Sequence, residues 1–290
     1  MCVLVFKFCP LSFFFRGESF RREFSNIGEV RSLVPQKVRF MALTATATVN
    51  TQKAICKTLG MKNAAVIRDS PNKPNVKYLV CAHPGTLEET FSPLVEELRR
   101  CRACMERVIV FCRNYDNCAL IYLYMKSRLG VEFTEPIGAP SLAAFRLADM
   151  FTACTRPDVK EIILKSFLNP LSHLRVVIAT IAFGMAVDFP NVQRVIHWGP
   201  PEDVELYVQE TGRAGRDQLP AQAILYCGGP DLIARHLDDD MKQYCHNKET
   251  CRRKLLSYFM NSDEHQTTST TGCLCCDVCE RKCSCSTCSR

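Results

Sequence analysis

Two continuous apolar runs near the middle of the chain constrain its fold most strongly. They are Arg175–Thr180 and, after a short loop, Arg194–Trp198. Strands that are buried on both faces of a parallel sheet carry such unbroken apolar residues, whereas half-exposed strands alternate. Val108–Cys112 and Ala223–Cys227 repeat the pattern, and predicted helices such as the one around Cys118–Arg128 lie between them. The sequence therefore predicts an α/β fold, a parallel sheet with helices on both of its faces.

The composition fits a globular protein of a reducing compartment. Of the 290 residues, 47% are hydrophobic and 23% are charged, which is enough for two domains. The formal net charge of +7 gives only mild support for a polyanionic partner, since many basic proteins bind no polyanion. The chain has 19 cysteines, several of them scattered through apolar segments, and this distribution favours reduced thiols over a secreted disulfide scaffold.

A glycine-rich turn with two arginines follows a short predicted helix. Residues Gln209–Asp217 read Gln-Glu-Thr-Gly-Arg-Ala-Gly-Arg-Asp and place Arg213 and Arg216 three positions apart. We expect the helix to stop at Gly212, because glycine often follows the last helical residue. Guanidinium groups on such a turn suit a polyphosphate, and arginines directed at a γ-phosphate stabilise phosphoryl transfer. The alternative is a loop that contacts nucleic acid or forms salt bridges.

Other candidate polar groups lie at and beyond the ends of the apolar runs. Thr180 ends one run, and Asp188 follows it in the next loop. Ligands of open α/β sheets bind outside the carboxyl ends of the strands. We therefore expect Thr180, Asp188 and the arginine turn to converge at that edge. Asp188 could instead cap its loop, and we expect His197 to be packed within its strand rather than catalytic.

Four ordered segments resemble the motifs of superfamily 2 helicases. They are motif III at Met41–Thr48, motif IV at Val108–Asn114, motif V at Thr180–Asp188 and motif VI at Gln209–Arg216. The continuation of the last segment through Ala221 is similar to RecQ-type DNA helicases in particular. The resemblance extends from about Gly17 to Cys279.

The resemblance implies a division of the chain into RecA-like lobes and a zinc-binding subdomain. We expect the C-terminal remnant of a first lobe at 17–75, a complete second lobe at 76–229, a small α-helical zinc-binding subdomain at 230–282 and a Cys-rich tail at 283–290. Residues 1–16 are apolar and could be read as a signal-peptide core or membrane anchor, but they are too short to span a membrane. We expect them to be foreign to the fold, as a truncated gene model or an alternative start would leave them.

The resemblance also implies an activity, that of an ATP-dependent 3′–5′ DNA helicase of repair or recombination in the nucleus. Arg213 and Arg216 would reach the γ-phosphate, Gln209 would link that site to lobe motion, and Gly212 and Asp188 would complete the nucleotide site. Single-stranded or duplex DNA would be the partner, with no membrane association. The residues expected to contact nucleic acid or to couple it to ATP are Phe20, Arg21, Thr44, Thr46, Arg113, Asn114 and Thr180.

The complete family enzyme uses ATP and Mg²⁺, but two of its elements have no counterpart in this sequence. No Gly-x-x-x-x-Gly-Lys-Ser/Thr segment occurs, so no such loop cradles the α- and β-phosphates. Asp263 and Glu264 lie in a polar stretch without a buried strand before them, so they do not form the acidic pair that organises Mg²⁺. We therefore expect the chain alone not to hydrolyse ATP.

The C-terminal cysteines indicate a metal site. By the register of the family motif we assign Cys251, Cys273, Cys276 and Cys279 to a structural Zn²⁺, which four thiolates can enclose tetrahedrally. Cys275 and Cys245 are the competing ligands. The remaining three cysteines of the tail lie beyond this set and form either a disordered terminus with reactive thiols or a second metal site; they are Cys283, Cys285 and Cys288.

Two departures from the family pattern affect loops. Between Gly130 and Arg156, where the family has a short strand, we expect the loop Phe133–Pro140 and then a longer helical stretch. Ala186 and Gln218 stand where family members usually have glycine, which puts the local backbone conformation in doubt.

Two functions of other classes stay open. One is a non-catalytic module that binds nucleic acid or a protein through the lobe and the zinc region. The other is a metal- or redox-responsive protein in which the cysteine-rich tail is the functional part.

Overall fold

The structure is a computed structural model that describes residues 3–8 (backbone), 29–35, 38–44, 46–67, 72–83, 85–184, 189, 191–233, 237–260 and 272–285. Three of the predicted site residues, Phe20, Arg21 and Asp188, lie outside the described residues, as does Ala186. Among the described residues, no helix is both long enough and apolar enough to cross a membrane.

Six parallel strands form the central sheet, in the spatial order β3-β8-β7-β4-β6-β5. Their bounds are β3 Val76–Ala82, β4 Arg107–Cys112, β5 Ala148–Phe151, β6 Val176–Ala179, β7 Val192–Trp198 and β8 Ala221–Cys227. The central strand β4 is buried along its whole length, and Phe111 pairs with Ala179 on one side and His197 on the other. This arrangement confirms the prediction from the apolar runs.

Helices cover both faces of the sheet. The helices of the described residues are α1 Val30–Leu33, α2 Val49–Thr58, α3 Leu87–Cys101, α4 Tyr115–Leu129, α5 Pro157–Leu168, α6 Val204–Thr211, α7 Gly229–Ile233, α8 Asp239–His246, α9 Arg252–Phe259 and α10 Asp277–Arg281. Helices α3 and α4 pack in one core, while α5, α6, α8 and α9 pack in the core on the opposite face. The helices on each face therefore bury their apolar sides against the same sheet.

Polar residues before several helices explain where these helices begin. Thr86 and Glu89 form a reciprocal capping box at the start of α3, with both hydrogen bonds at 3.1 Å. Asn114 accepts from the Asn117 amide at the start of α4, and Asp203 accepts from the Leu206 amide at the start of α6. The last two caps directly follow β4 and β7, so the capping side chains also lie at the carboxyl edge of the sheet.

A second, two-stranded parallel sheet belongs to the N-terminal part of the chain. Its strands are β1 Val3–Phe8 and β2 Arg39–Thr44, paired from Val3 opposite Arg39 to Phe8 opposite Thr44. We expected residues 1–16 to be foreign to the fold. The structure differs at 3–8, because an extended apolar segment can satisfy its backbone groups by pairing with the edge of β2.

The segment after Pro140 is not helical, which corrects the expectation from the sequence. Ala148–Phe151 instead forms the edge strand β5, paired with β6 from Ala148 opposite Val176. The residues before it form a turn at 143–145, after which Arg146 bridges to Thr134 and the Leu147 carbonyl accepts from the Arg175 and Val176 amides. Pairing with the sheet therefore overrides a local helical preference.

Candidate functional site

The arginine turn, residues 212–217, lies at the amino-terminal edge of the sheet. Helix α6 begins beyond the carboxyl end of β7 and runs back across the sheet, so that the Gly215 amide donates to the carbonyl of Val192, the first residue of β7. The expectation that this turn meets Thr180 at the carboxyl edge is therefore wrong. The eight residues of α6 carry the chain about 12 Å along the sheet before the turn begins.

A short segment between the two lobes braces this turn. We call residues 72–75 the interlobe strap. The Lys73 ammonium donates to the Gly212 and Ala214 carbonyls, and the Asn75 side-chain amide donates to the Gly215 carbonyl at 2.7 Å and to the Leu219 carbonyl at 2.8 Å. The two strap side chains thus make three hydrogen bonds to the turn and one to Leu219 just after it, at sequence separations of about 140 residues.

The close approach of the strap depends on Gly215. This glycine has a φ of +61°, and a Cβ atom built on it would lie 2.3 Å from Asn75 Nδ2 and 3.1 Å from Ala221 Cβ. Gln218 also has a positive φ, +65°, which confirms that this position favours the glycine found in the family. Asp217 fixes the end of the turn, since its Oδ2 accepts from Gln193 Nε2 at 2.6 Å.

The two arginines of the turn differ in exposure. Arg213 is only 5% exposed, whereas Arg216 is exposed and its Nε donates to the Gly212 carbonyl at 3.3 Å. Gln209 lies on α6, four residues before Arg213, and is half-buried. The structure thus places all three predicted catalytic residues on one helix end, together with Gly212.

The neighbouring glutamate of α6 is buried with a histidine that the sequence analysis assigned to packing. His197 Nε2 lies 2.9 Å from Glu210 Oε2, and both residues are less than 5% exposed. The imidazole stacks on Phe111 and also contacts Tyr207. His197 is therefore buried within its strand, and its contact with Glu210 ties the C-terminal end of α6 to β7.

The other end of α6 contacts the first-lobe segment. Glu205 Oε1 accepts from the Thr48 amide and from the Thr51 hydroxyl, both at 2.6 Å, at the start of α2. Thr46 is buried, and its carbonyl accepts from the Thr44 hydroxyl at 2.7 Å. The segment that resembles motif III is therefore joined by hydrogen bonds to the helix that carries the arginine turn.

A cavity of about 420 Å³ opens at the carboxyl edge of the sheet. Arg113 and Asn114 line it, as do His83 and Asp231 on the side of Trp198. Asp231 Oδ1 lies 3.5 Å from the Arg113 guanidinium, and Asp231 Oδ2 lies 3.2 Å from His83 Nε2. These contacts leave a polar cavity with two cationic or ionisable side chains held by one carboxylate.

Thr180 lies at this same edge. It follows Ala179, which pairs with Phe111 two residues before Arg113, and its amide donates to the Phe151 carbonyl at 3.4 Å. Arg113, Asn114 and Thr180 therefore follow neighbouring strands, β4 and β6. The predicted nucleic-acid residues of the second lobe share one edge, and the predicted phosphate-binding arginines lie at the other.

The C-terminal cysteines form two groups. The inner thiol group, Cys251, Cys275, Cys276 and Cys279, and the outer thiol group, Cys273, Cys283 and Cys285, each bring their sulfur atoms within 4.8 Å of one another. Three of the four cysteines assigned from the sequence are in the inner group. Its fourth member is Cys275, a competing ligand in the sequence analysis, and Cys273 lies in the outer group; Cys245 belongs to neither.

The inner thiol group is built into the core of the lobe. Cys275 and Cys276 are 2% and 0% exposed, and the Cys275 carbonyl accepts from the Tyr78 amide of edge strand β3 at 3.2 Å. The Cys251 and Cys275 sulfurs lie 3.5 Å apart. A tetrahedron with metal–sulfur bonds of about 2.3 Å has sulfur–sulfur edges of about 3.8 Å. The four thiols, all within 4.8 Å of one another, could therefore hold a metal ion.

Two arginines of α9 connect this region to the rest of the molecule. Arg252 pairs with Asp277 of α10 and donates to the Tyr244 carbonyl at 2.8 Å. Arg253 donates to the Asn72 side chain and to the carbonyls of Lys73, Pro74 and Val76. The strap that braces the arginine turn is thus itself held by the subdomain that carries the thiols.

The sequence analysis missed the strap, Glu205 and Arg253 as site residues. The contacts of Lys73 and Asn75 join residues about 140 positions apart in the sequence. Nothing in the local pattern marks these side chains. The only available signal for Glu205 was its charge in an otherwise apolar helix face.

The sequence is similar to those of known proteins. The family described as "Helicase conserved C-terminal domain" matches residues 89–218. The chain is 33% identical over 282 residues to "ATP-dependent DNA helicase RecQ" of Haemophilus influenzae, covering 91% of this chain and 40% of the relative. It is 29% identical over 252 residues to "ATP-dependent DNA helicase Q1" of Mus musculus, covering 83% and 36%.

Solved structures share the fold. The DUF1998 helicase MrfA bound to DNA superposes with a TM-score of 0.59 at 16% identity, over 90% of this chain and 33% of that one. This likeness identifies the six-stranded domain as a RecA-like lobe. The chain spans about two fifths of the length of the curated relatives that it matches.

Proposed function

Because the chain belongs to the RecQ-type helicases of superfamily 2, we propose that it supplies the second RecA-like lobe and the zinc-binding subdomain of an ATP-dependent 3′–5′ DNA helicase. The observation that carries the proposal is the arginine turn, which is braced by the strap that joins the two lobes. A turn held in this way can transmit a change in lobe position to two arginines.

In this proposal the turn serves the nucleotide. Arg216 is exposed and Arg213 is buried. Both guanidinium groups serve the γ-phosphate when the first lobe presents ATP and Mg²⁺. Bound ATP supplies the phosphoryl group whose hydrolysis drives the motor, and arginine charge stabilises that transfer. Gln209, Gly212 and Asp188 complete the nucleotide side of the site.

The opposite edge of the sheet serves the DNA. Arg113, Asn114 and Thr180 contact the phosphates of a single strand without reading its sequence, and Phe20 and Arg21 belong to the sensing loop of the first lobe. Thr44 and Thr46 couple the two functions through Thr48, Thr51 and Glu205. Helix α6 therefore joins the DNA edge and the nucleotide edge.

The inner thiol group is the proposed structural zinc site. Its sulfur geometry supports Cys251, Cys275, Cys276 and Cys279 as the ligands, with Cys275 in the place that the family register gives to Cys273. A Zn²⁺ ion held by four thiolates contributes directly to folding. A role in DNA repair or recombination in the nucleus completes the proposal and follows from the family alone.

The test joins this chain to the first lobe of a RecQ-type relative and measures DNA-stimulated ATP hydrolysis. Arg213→Ala is expected to lower kcat by roughly 10³-fold or more. Arg156→Ala, at the exposed arginine just before α5, is expected to leave it unchanged. Equal rates in the two variants would contradict the nucleotide role.

The isolated chain provides a second measurement. Binding to single-stranded DNA, followed by fluorescence anisotropy, is expected to weaken with added salt and with Arg113→Ala. DNA binding together with an inactive joined protein would favour the non-catalytic module instead. Unchanged binding in Arg113→Ala would show that the carboxyl edge of the sheet is not part of the DNA site.

A further inference from the structure

The outer thiol group is a second cluster of soft ligands that the inner site does not use. Cys273, Cys283 and Cys285 place their sulfurs within 4.8 Å of one another, and the Cys273 and Cys285 sulfurs lie 3.8 Å apart. That separation equals the edge of about 3.8 Å expected of a tetrahedral thiolate site. It is far longer than the roughly 2.05 Å bond of a disulfide.

The chain fold after the inner group brings these three cysteines together. Helix α10 ends in a tight turn, in which the Lys282 amide donates to the Cys279 carbonyl and the Cys283 amide donates to the Glu280 carbonyl. The returning chain passes beside Gly272, where an added Cβ would lie 3.6 Å from the Cys283 sulfur. Cys273, the residue after that glycine, therefore meets Cys283 and Cys285 across the turn.

The two groups differ in their surroundings. Cys275 and Cys276 of the inner group are buried, whereas all three cysteines of the outer group are only partly buried. No disulfide joins any of the 16 cysteines that the structure describes. The outer sulfurs are thus not joined by disulfide bonds and lie at a position that solvent and ions can reach.

We propose that the outer thiol group binds a second Zn²⁺ ion through Cys273, Cys283 and Cys285, with one exchangeable ligand in the fourth position. Three thiolates select a soft, thiophilic ion, and a three-ligand zinc site keeps an open position. The ion would close the turn after α10 onto Gly272. Because its site is partly exposed, it exchanges faster than the inner ion. This inference does not depend on the helicase function proposed above.

The test measures zinc bound per chain. The full chain is loaded with Zn²⁺ under reducing conditions, desalted, and analysed by inductively coupled plasma mass spectrometry together with its protein concentration. Two ions per chain are expected for the wild type, and one for both Cys273→Ser and Cys285→Ser. Cys154→Ser, an exposed cysteine outside both groups, is the matched control and is expected to keep two.

The variants separate failure of this site from failure of the inner one. If Cys285→Ser and Cys283→Ser leave the ratio unchanged, the outer site does not exist. If Cys273→Ser removes an ion that Cys285→Ser retains, Cys273 belongs to the inner set and the proposal is overturned. If the inner site alone fails, the wild type binds one ion, and that ion is lost in Cys285→Ser but kept in Cys276→Ser.

Release kinetics give an independent readout, beginning with the wild type. A chromogenic chelator is expected to remove zinc from the wild type in a fast and a slow phase of equal amplitude. Cys285→Ser should show the slow phase alone. A single phase in the wild type, unchanged by Cys285→Ser, would contradict the proposal.

Discussion

The arginine turn and the inner thiol group are stabilised in opposite ways. The turn is held by the protein itself, through Gly215, the strap side chains Lys73 and Asn75, and the carbonyl of Val192. The thiol group brings four ligands together, and their repulsion as thiolates needs an ion to balance it. Under the proposed function, one region is preformed for a nucleotide that the first lobe presents, and the other would depend on its own metal ion for its fold.

One side chain nevertheless connects the two regions. Arg253 of α9 donates to the strap that braces the turn, while Cys251 two residues earlier belongs to the inner thiol group. Removing the ion should therefore disturb the thiol region first and reach the turn only through Arg253.

Removal of the metal is expected to have the largest effect. Structural zinc sites contribute roughly 10–16 kcal/mol of apparent binding energy in small metal-dependent domains, so chelation should open residues 272–285 and α9. Hydrogen exchange measured by mass spectrometry should rise there while β4, β6 and β7 stay protected. Simultaneous loss of protection in the sheet would show that the two regions unfold as one cooperative unit and are not stabilised separately.

Replacement of Arg253 tests the connection itself. Arg253→Leu removes a buried guanidinium that donates to four acceptors between Asn72 and Val76, and we expect a loss of about 3 kcal/mol in the free energy of unfolding. Lys254→Leu, at the exposed neighbouring position of the same helix, is the matched control and should change stability little. Denaturant unfolding measures both, and equal effects would show that the strap does not need α9.

Gly215→Ala is expected to act on the turn and not on the thiols. The added Cβ would meet Asn75 Nδ2 at 2.3 Å, and the φ of +61° adds backbone strain, for a combined loss of about 2 kcal/mol. Gly130→Ala has a similar φ of +54° with open space around it, so it measures the strain alone, about 1 kcal/mol. Zinc content should be unchanged in both variants. A Gly215→Ala protein that loses no more stability than Gly130→Ala would show that the strap contact is dispensable.

The contrast also explains what could be predicted from sequence. The buried strands follow from unbroken apolar runs, and the positive φ of Gln218 follows from the glycine that it replaces, because both are local properties. The direction of the arginine turn does not follow locally, since α6 carries it to the opposite edge of the sheet. Arg253 makes contacts 180 residues away, which no periodicity records.

The thiol ligands show a different limit. Cys273 and Cys275 are both close enough in sequence to serve the same site, and spacing alone favours Cys273. The structure instead seats Cys275 beneath edge strand β3, where its carbonyl accepts from Tyr78, and this turns Cys273 outward. Contacts with a strand that is remote in sequence therefore accompany the grouping of Cys275, and not Cys273, with the inner thiols.

The smallest expected effect concerns the start of α6. Burial raises the pKa of Asp203 to about 6, and neighbouring acidic residues add to this, although its hydrogen bond from Leu206 opposes them. A carboxyl whose pKa is higher in the folded state binds more protons there, so stability falls as pH rises from the unfolded pKa towards about 6. Between about pH 5 and pH 7 this amounts to a loss of about 1 kcal/mol.

Asp203→Asn should reduce that slope because asparagine keeps the cap without the charge. Burial also raises the pKa of Asp149 and Asp238, so part of the slope should persist. Asp239→Asn, at a 99% exposed carboxylate in the first turn of α8, is the matched control. Thermal unfolding across this pH range measures all three proteins. If Asp203→Asn retains the full slope, the start of α6 is solvated, and the helix that carries the arginine turn is less rigidly preformed than its other contacts indicate.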